Sequence, residues 1–264
     1  MIRLYPAIVA LLSVLLPHAA AAASSGWVDT PGGDVRLVAL PAEKDGKARA
    51  MLEIRLHEGW RTYWRDPGGA GIPPSVTVSG ARLGSVGFPV PKRLGDEGLH
   101  YIGYDRPLAL PLTLDAVSGP VTASVFLGVC KEICIPVQAE LSVDTRGEAF
   151  ANPLEETAIA AAEAELPPAA TADLAPLSAR WSADGKALSV RFRAPGDGGL
   201  PEVYVSGPAE IQFGPAEGVA RDGDAYVATV PVLYRPKGFD PARTPLLLAV
   251  RAGARTMESP LSID

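Results

Sequence analysis

Cys130 and Cys134 are the chain's only two cysteines, with three residues between them in F-L-G-V-C-K-E-I-C-I-P. Two thiols this close can cycle between dithiol and disulfide, hold a soft metal, or staple a loop. Four residues of straight strand span roughly 13 Å, whereas bonded cysteines need α-carbons within about 7 Å. The chain must therefore fold back between them. Val121 to Val129 and Ile135 to Val143 are β-like flanks, so Lys131, Glu132 and Ile133 form a tight hairpin tip or one helical turn. Closing a loop of about five residues removes only about 2 kcal/mol of unfolded-chain entropy, which is a weak staple. A tight ring is prone to strain, and strained exposed disulfides are the reducible ones. Zinc asks for four ligands, so a zinc site would need His57 and His100 beside the two cysteines. Copper(I) could take two thiolates, but soft-metal carriers tend to add methionine, and the chain has three. Redox exchange, a staple and a metal clip all stay open on chemistry alone.

The elements that must position the pair read as β-structure. Val35 to Leu40 and Ala48 to Leu56 are strands; in the second, Met51, Glu53 and Arg55 alternate with Leu52, Ile54 and Leu56. Gly59 to Arg65 is a further strand, ended by the turn Asp66-Pro67-Gly68-Gly69. Ser75 to Ser79, Tyr104 to Leu114 and the two cysteine flanks complete about seven, which predicts an immunoglobulin-like sandwich. Trp60, Tyr63 and Trp64 are expected to fill its core or brace the hairpin. Asn152-Pro153-Leu154-Glu155-Glu156 then opens an alanine-rich run, with a cap residue, a first-turn proline and early acids that predict a helix. A second β pattern begins at Leu177, with six candidate strands: 187–194, 202–206, 210–214, 225–232, 244–252 and 256–263. It holds no cysteine and no histidine, and reads as scaffold or partner-docking surface.

Arg3, the apolar run Ala7 to Leu16 and the small residues Ala19 to Ala23 have the form of a secretory leader cleaved near Ala23. About 240 residues would remain, enough for two ordinary domains, in a compartment where disulfides persist. Net charge is −6, and losing the single positive charge of Arg3 makes it −7. That acidity argues against nucleic acid and anionic membrane surfaces. The expected organisation is a leader (1–23), a redox sandwich (27–147), a linker helix (150–168) and a second sandwich (175–264). The fold class is all-β: two immunoglobulin-like sandwiches joined by a short helical linker.

Three blocks carry a resemblance. C-K-E-I-C-I-P-V-Q-A-E-L, from Cys130, resembles the active-site hairpin of the N-terminal domain of the DsbD thiol:disulfide interchange family. It is closer still to the ScsB type, linked to suppression of copper sensitivity. G-W-R-T-Y-W-R-D-P-G-G-A-G-I-P-P (59–74) and D-E-G-L-H-Y-I-G-Y-D-R-P-L-A-L-P-L (96–112) are the other two. Together they cover most of 27–145, and the linker and second β region resemble the ScsB-like subgroup less specifically. The resemblance implies a sandwich whose cysteines take electrons from a thioredoxin-like domain and pass them to periplasmic oxidoreductases through mixed disulfides. It makes Cys134 the attacking sulfur and Cys130 the resolving one. It also implies a cap loop over the pair, matching Asp96 to Tyr104. The bulky aromatic pair of the family's best-known member is absent after Asp96-Glu97, which leaves Leu99, His100 and Tyr101 as candidate caps. No bound cofactor, no metal and no small-molecule substrate are expected. The partners would be thioredoxin-like periplasmic proteins or domains. No membrane domain or thioredoxin-like C-x-x-C follows, so a separate membrane electron-transfer protein would supply electrons, or the chain works alone. The alternative is a periplasmic copper-binding or adaptor module built on the same two thiols.

Overall fold

The computed structural model describes residues 24–95, 100–145, 152–196, 199–241 and 243–264. The expected leader, residues 1–23, lies outside them. Eleven strands build a first sandwich. They are β1 (Val28–Thr30), β2 (Gly33–Ala39), β3 (Ala48–Leu56), β4 (Arg61–Tyr63), β5 (Ser75–Ser79), β6 (Arg82–Val86), β7 (Lys92–Leu94), β8 (Tyr101–Tyr104), β9 (Leu108–Asp115), β10 (Val121–Cys130) and β11 (Cys134–Val143). One sheet runs β1-β2-β3-β9-β6. The other runs β11-β10-β4-β8-β7, with β5 also on β10. Inward residues of β3 (Ala50, Leu52, Ile54) and of β10 (Ala123, Val125, Leu127) share one buried core with Trp64. That is the period-two pattern of strands packed on one face.

The stretch expected as one strand, Tyr104 to Leu114, is two: β8 and β9, parted by Asp105-Arg106-Pro107. Proline cannot donate to a ladder, and the turn sends the chain to the opposite sheet. The strand expected over Gly59–Arg65 shrinks to Arg61–Tyr63. Gly59 sits at φ 78°, and the Trp60 amide donates to the His57 carbonyl in a turn.

The helix α1 (Pro153–Ala164) starts as its cap predicts, with the Asn152 side chain accepting from the Leu154 amide at 3.1 Å. It also does more than link. Ile159 and Ala162 cover Val38, Leu40 and Met51, apolar residues on the outer face of the first sheet. Burying an isoleucine there contributes about 1.5–3 kcal/mol. Arg49 fixes the helix from the sheet side by pairing with Glu163.

Eight further strands follow: β12 (Ala175–Trp181), β13 (Ala187–Arg193), β14 (Glu202–Ser206), β15 (Gln212–Phe213), β16 (Glu217–Asp222), β17 (Ala225–Tyr234), β18 (Leu246–Ala252) and β19 (Arg255–Leu261). They form a sheet β12-β13-β17-β15 with β16 also on β17, and a sheet β14-β18-β19. Phe192, Phe213, Val230, Leu248 and Val250 fill the core between them. Among the described residues the chain is therefore all-β apart from α1, two sandwiches in series. No helix among the described residues is long and apolar enough to cross a membrane.

Candidate redox site

The β10–β11 hairpin places Cys130 directly opposite Cys134 in antiparallel register, and the two are joined as a disulfide with α-carbons 4.2 Å apart. Lys131, Glu132 and Ile133 make the exposed tip, with Ile133 70% exposed. The Lys131 amide closes the tip on the Ile133 carbonyl at 3.3 Å. Strand β11 is the sheet edge, and Pro136 faces Gly128 across the ladder. An edge tolerates a proline because its missing N–H would have faced solvent.

The two sulfurs are not equivalent. Cys130 is 4% exposed, while Cys134 is exposed. An incoming thiolate must align with the sulfur it attacks, so only Cys134 is open to a partner without rearrangement.

Tyr63 lies beneath the pair. Its hydroxyl is 2.7 Å from Cys130 Sγ and 2.9 Å from Cys134 Sγ. A disulfide carries no proton, so the tyrosine O–H is the donor. Burial raises the Tyr63 pKa, with Tyr101 adding to the rise and Arg61 opposing it. The phenol therefore stays protonated as a donor through the neutral range.

Several neighbours fix that hydroxyl. Tyr101 meets the Tyr63 ring edge-on at 5.5 Å, and both cluster with Cys130 and Leu94. Two glycines leave room for the ring's flanks. A β-carbon at Gly71 would fall 2.5 Å from Tyr63 Cδ1, and one at Gly128 would fall 2.9 Å from Tyr63 Cε2. Thr62 donates to the Gly128 carbonyl at 2.8 Å, and Arg61 donates to the Lys131 carbonyl at 2.7 Å. The Arg61 guanidinium also lies 5.2 Å from the Tyr101 ring centre. Strand β4 thus binds both the last residues of β10 and the tip of the cysteine hairpin.

Of the candidate cap residues, Asp96, Glu97 and Leu99 lie outside the described residues. His100 is exposed. Tyr101 is 5% exposed and takes the packing position beside Tyr63. His57 does not join His100 around the cysteines as a zinc site would need. Among the described residues, the group of three that could close on an ion is His57 with Asp29 and Asp34, and it contains neither cysteine. Sequence reasoning gave Tyr63 a core or bracing role and missed its contact with both sulfurs. Trp60 and Trp64 flank it in G-W-R-T-Y-W-R, so nothing in the pattern singled it out.

Residues 34–145 match the family model described as thiol:disulfide interchange protein DsbD, N-terminal. No curated protein matches the chain. Among solved structures, the N-terminal periplasmic domain of ScsB from Proteus mirabilis superposes with a TM-score of 0.75 at 24% identity. The match covers 92% of this chain and 100% of that one. The shared fold therefore spans both sandwiches, and the family match falls on the one that holds the cysteines.

Proposed function

We propose, from the place of the first sandwich in the DsbD N-terminal, ScsB-like family, that this thiol:disulfide interchange module is an exported protein. It exchanges electrons with thioredoxin-like periplasmic partners through Cys130 and Cys134, and residues 27–147 form the redox domain. The observation that carries this reading is the asymmetry of the pair: an exposed Cys134 and a buried Cys130, with one tyrosine hydroxyl on both sulfurs.

The chemistry balances as two exchanges. In the reduced protein the Cys134 thiolate attacks one sulfur of the partner's disulfide. The partner's S–S bond breaks, a Cys134–partner bond forms, and the partner's other sulfur leaves as thiolate. The Cys130 thiolate then attacks Cys134 Sγ, which restores the intramolecular disulfide and releases the partner's second thiolate. Two electrons pass to the partner, and its two thiolates take up protons. Run backwards, the same steps reload the pair from a reduced thioredoxin-like donor. Tyr63 donates to whichever sulfur carries charge, favouring the thiolate in each exchange. The open edge around Ile133 at the tip gives a partner apolar surface to meet.

The test is capture. The Cys130→Ser variant should hold a mixed disulfide between Cys134 and a thioredoxin-like protein, seen as a reducible adduct in non-reducing gels and mass spectrometry. Exposure of that variant to oxidised periplasmic thioredoxin-like proteins with no adduct formed would sink the proposal.

A further inference from the structure

The three residues that follow Tyr63 are each held by the second sandwich. The Trp64 ring meets Tyr204 edge-on at 6.0 Å. Arg65 pairs with Glu258 at 3.1 Å. Asp66 Oδ2 accepts from the Phe213 amide at 3.2 Å. Tyr204 is in β14, Phe213 in β15 and Glu258 in β19, so both sheets of the second sandwich contribute. Tyr204 and Ala249 are part of the first sandwich's own buried cluster.

This segment also returns to where it began. Asp66 Oδ1 accepts from the Gly68 amide, and the Ile102 amide donates to the Pro67 carbonyl. Gly69 lies against Leu233 of the second sandwich, and Gly71 lies against the Tyr63 ring. Residues 64–71 thus form a loop that starts and ends at Tyr63, with its middle seated on the second sandwich.

Two physical points make this more than surface packing. Strand β4 has only two register pairs with β10 and two with β8, so its ladder positions Tyr63 weakly. The contact also commits charged groups. Asp66 is 5% exposed, and a carboxylate buried to that degree is tolerated only where its acceptors are filled. Such contacts impose one orientation, whereas apolar contact alone permits sliding.

We propose that the second sandwich is a brace for the redox site. Through Trp64, Arg65 and Asp66 it holds the Tyr63 hydroxyl against both sulfurs, and so sets how fast the disulfide opens. Tyr204, Phe213 and Glu258 are positioning residues in this scheme, acting through Tyr63. The inference rests on reading Cys130–Cys134 as an exchanging pair, but its test needs no protein partner.

The test is a double-mutant cycle on the full chain. The rate at which excess dithiothreitol reduces Cys130–Cys134 is measured for Tyr204→Leu and Glu258→Gln, each with Tyr63 and with Tyr63→Phe. Thiolate absorbance against pH is followed on the reduced proteins. Tyr204→Leu should slow reduction about fivefold and Glu258→Gln about twofold, and both effects should vanish in the Tyr63→Phe background. The thiolate titration should move in the same direction in each variant as in Tyr63→Phe. A folded Tyr204→Leu protein with wild-type rate and titration would overturn the brace, as would an effect of equal size in both backgrounds. If Tyr204→Leu does not fold, Glu258→Gln decides by the same cycle. Failure of every thioredoxin-like protein to form an adduct would instead strike the functional reading and leave this cycle readable.

Discussion

The two sandwiches close their edge hairpins differently. In the first, β10 and β11 pair through ten residues and end at Cys130 opposite Cys134, with a tyrosine hydroxyl below both sulfurs. In the second, β18 and β19 pair through seven and end at Ala252 opposite Arg255. Gly253 at φ 59° makes that turn, and Arg255 is tied outward to Asp173. The hairpin itself is therefore chemically neutral. What differs is the layer beneath the tip: in the first sandwich a short strand, β4, slips an aromatic donor under it. The second sandwich instead supplies fixed partners to the residues next to Tyr63.

The contrast can be broken first at the tips. Cys134→Ser should lower exchange with a thioredoxin-like protein at least about a thousandfold, while Ala254→Ser should leave it at the wild-type rate. Insulin- or partner-reduction assays read both.

Next comes the buried acid at the contact between the sandwiches. Burial raises the Asp66 pKa from 3.8 to about 6, against the opposing pull of the Gly68 and Phe213 amides. The folded protein then binds this proton more tightly than the unfolded chain does. Its contribution to stability is fully present below pH about 4 and is lost as pH rises through about 6. The shift corresponds to on the order of 2–3 kcal/mol. Urea unfolding at pH 4 and pH 7 should show wild type losing about that much relative to Asp66→Asn; a pH-independent difference would contradict it.

Gly128→Ala should destabilise the first sandwich by about 1–3 kcal/mol, because the new methyl meets Tyr63 and Ile72 at 2.9 Å. A fall in the urea midpoint with unchanged slope is the signature. Tyr63→Phe should slow reduction of the disulfide about tenfold, since it removes one donor from both sulfurs. Stopped-flow reduction by a small thiol measures this directly.

The smallest effect belongs to Asp173 in the second sandwich, whose pKa is lowered, chiefly by its hydrogen bonds to Arg255 and then by Thr171. Its sign is opposite to that of Asp66: stability is present above the usual carboxylate range and lost as pH falls. Asp173→Asn should change stability less than Asp66→Asn. The change should disappear in about 1 M salt, where screening acts over about 3 Å. A larger or salt-insensitive effect would remove the contrast between a buried contact and an exposed pair.

Much of the fold was legible from particular residues. Asn152-Pro153 marked the helix start because capping is a local event. The long strands, such as Ala48–Leu56, announced themselves by alternation. Strand β16, Glu217–Asp222, was invisible because it is exposed along nearly its whole length, so E-G-V-A-R-D carries no period. Strand β12 is covered by none of the expected strands; only the start of the β pattern fell on its third residue, Leu177, because Pro176 interrupts its start. The helix's hold on Met51 and Val38 could not be seen either. Those residues look like stray apolar positions on the polar face until the helix covers them.

At the site, the sequence determined that two sulfurs must meet across a sharp reversal, since four residues cannot otherwise bring cysteines within bonding distance. Flanking β-runs made that reversal a hairpin, and three residue blocks carried a resemblance to the DsbD N-terminal family. Tertiary structure alone decided which sulfur faces solvent, which of several aromatics touches the pair, and what holds that aromatic in place. The reason is separation along the chain. Tyr63 reaches Cys130 across 67 positions, and Asp66 reaches Phe213 across 147. Contacts at that range depend on which strands become neighbours in a sheet and which sandwich faces meet, and no local pattern of residue types encodes either.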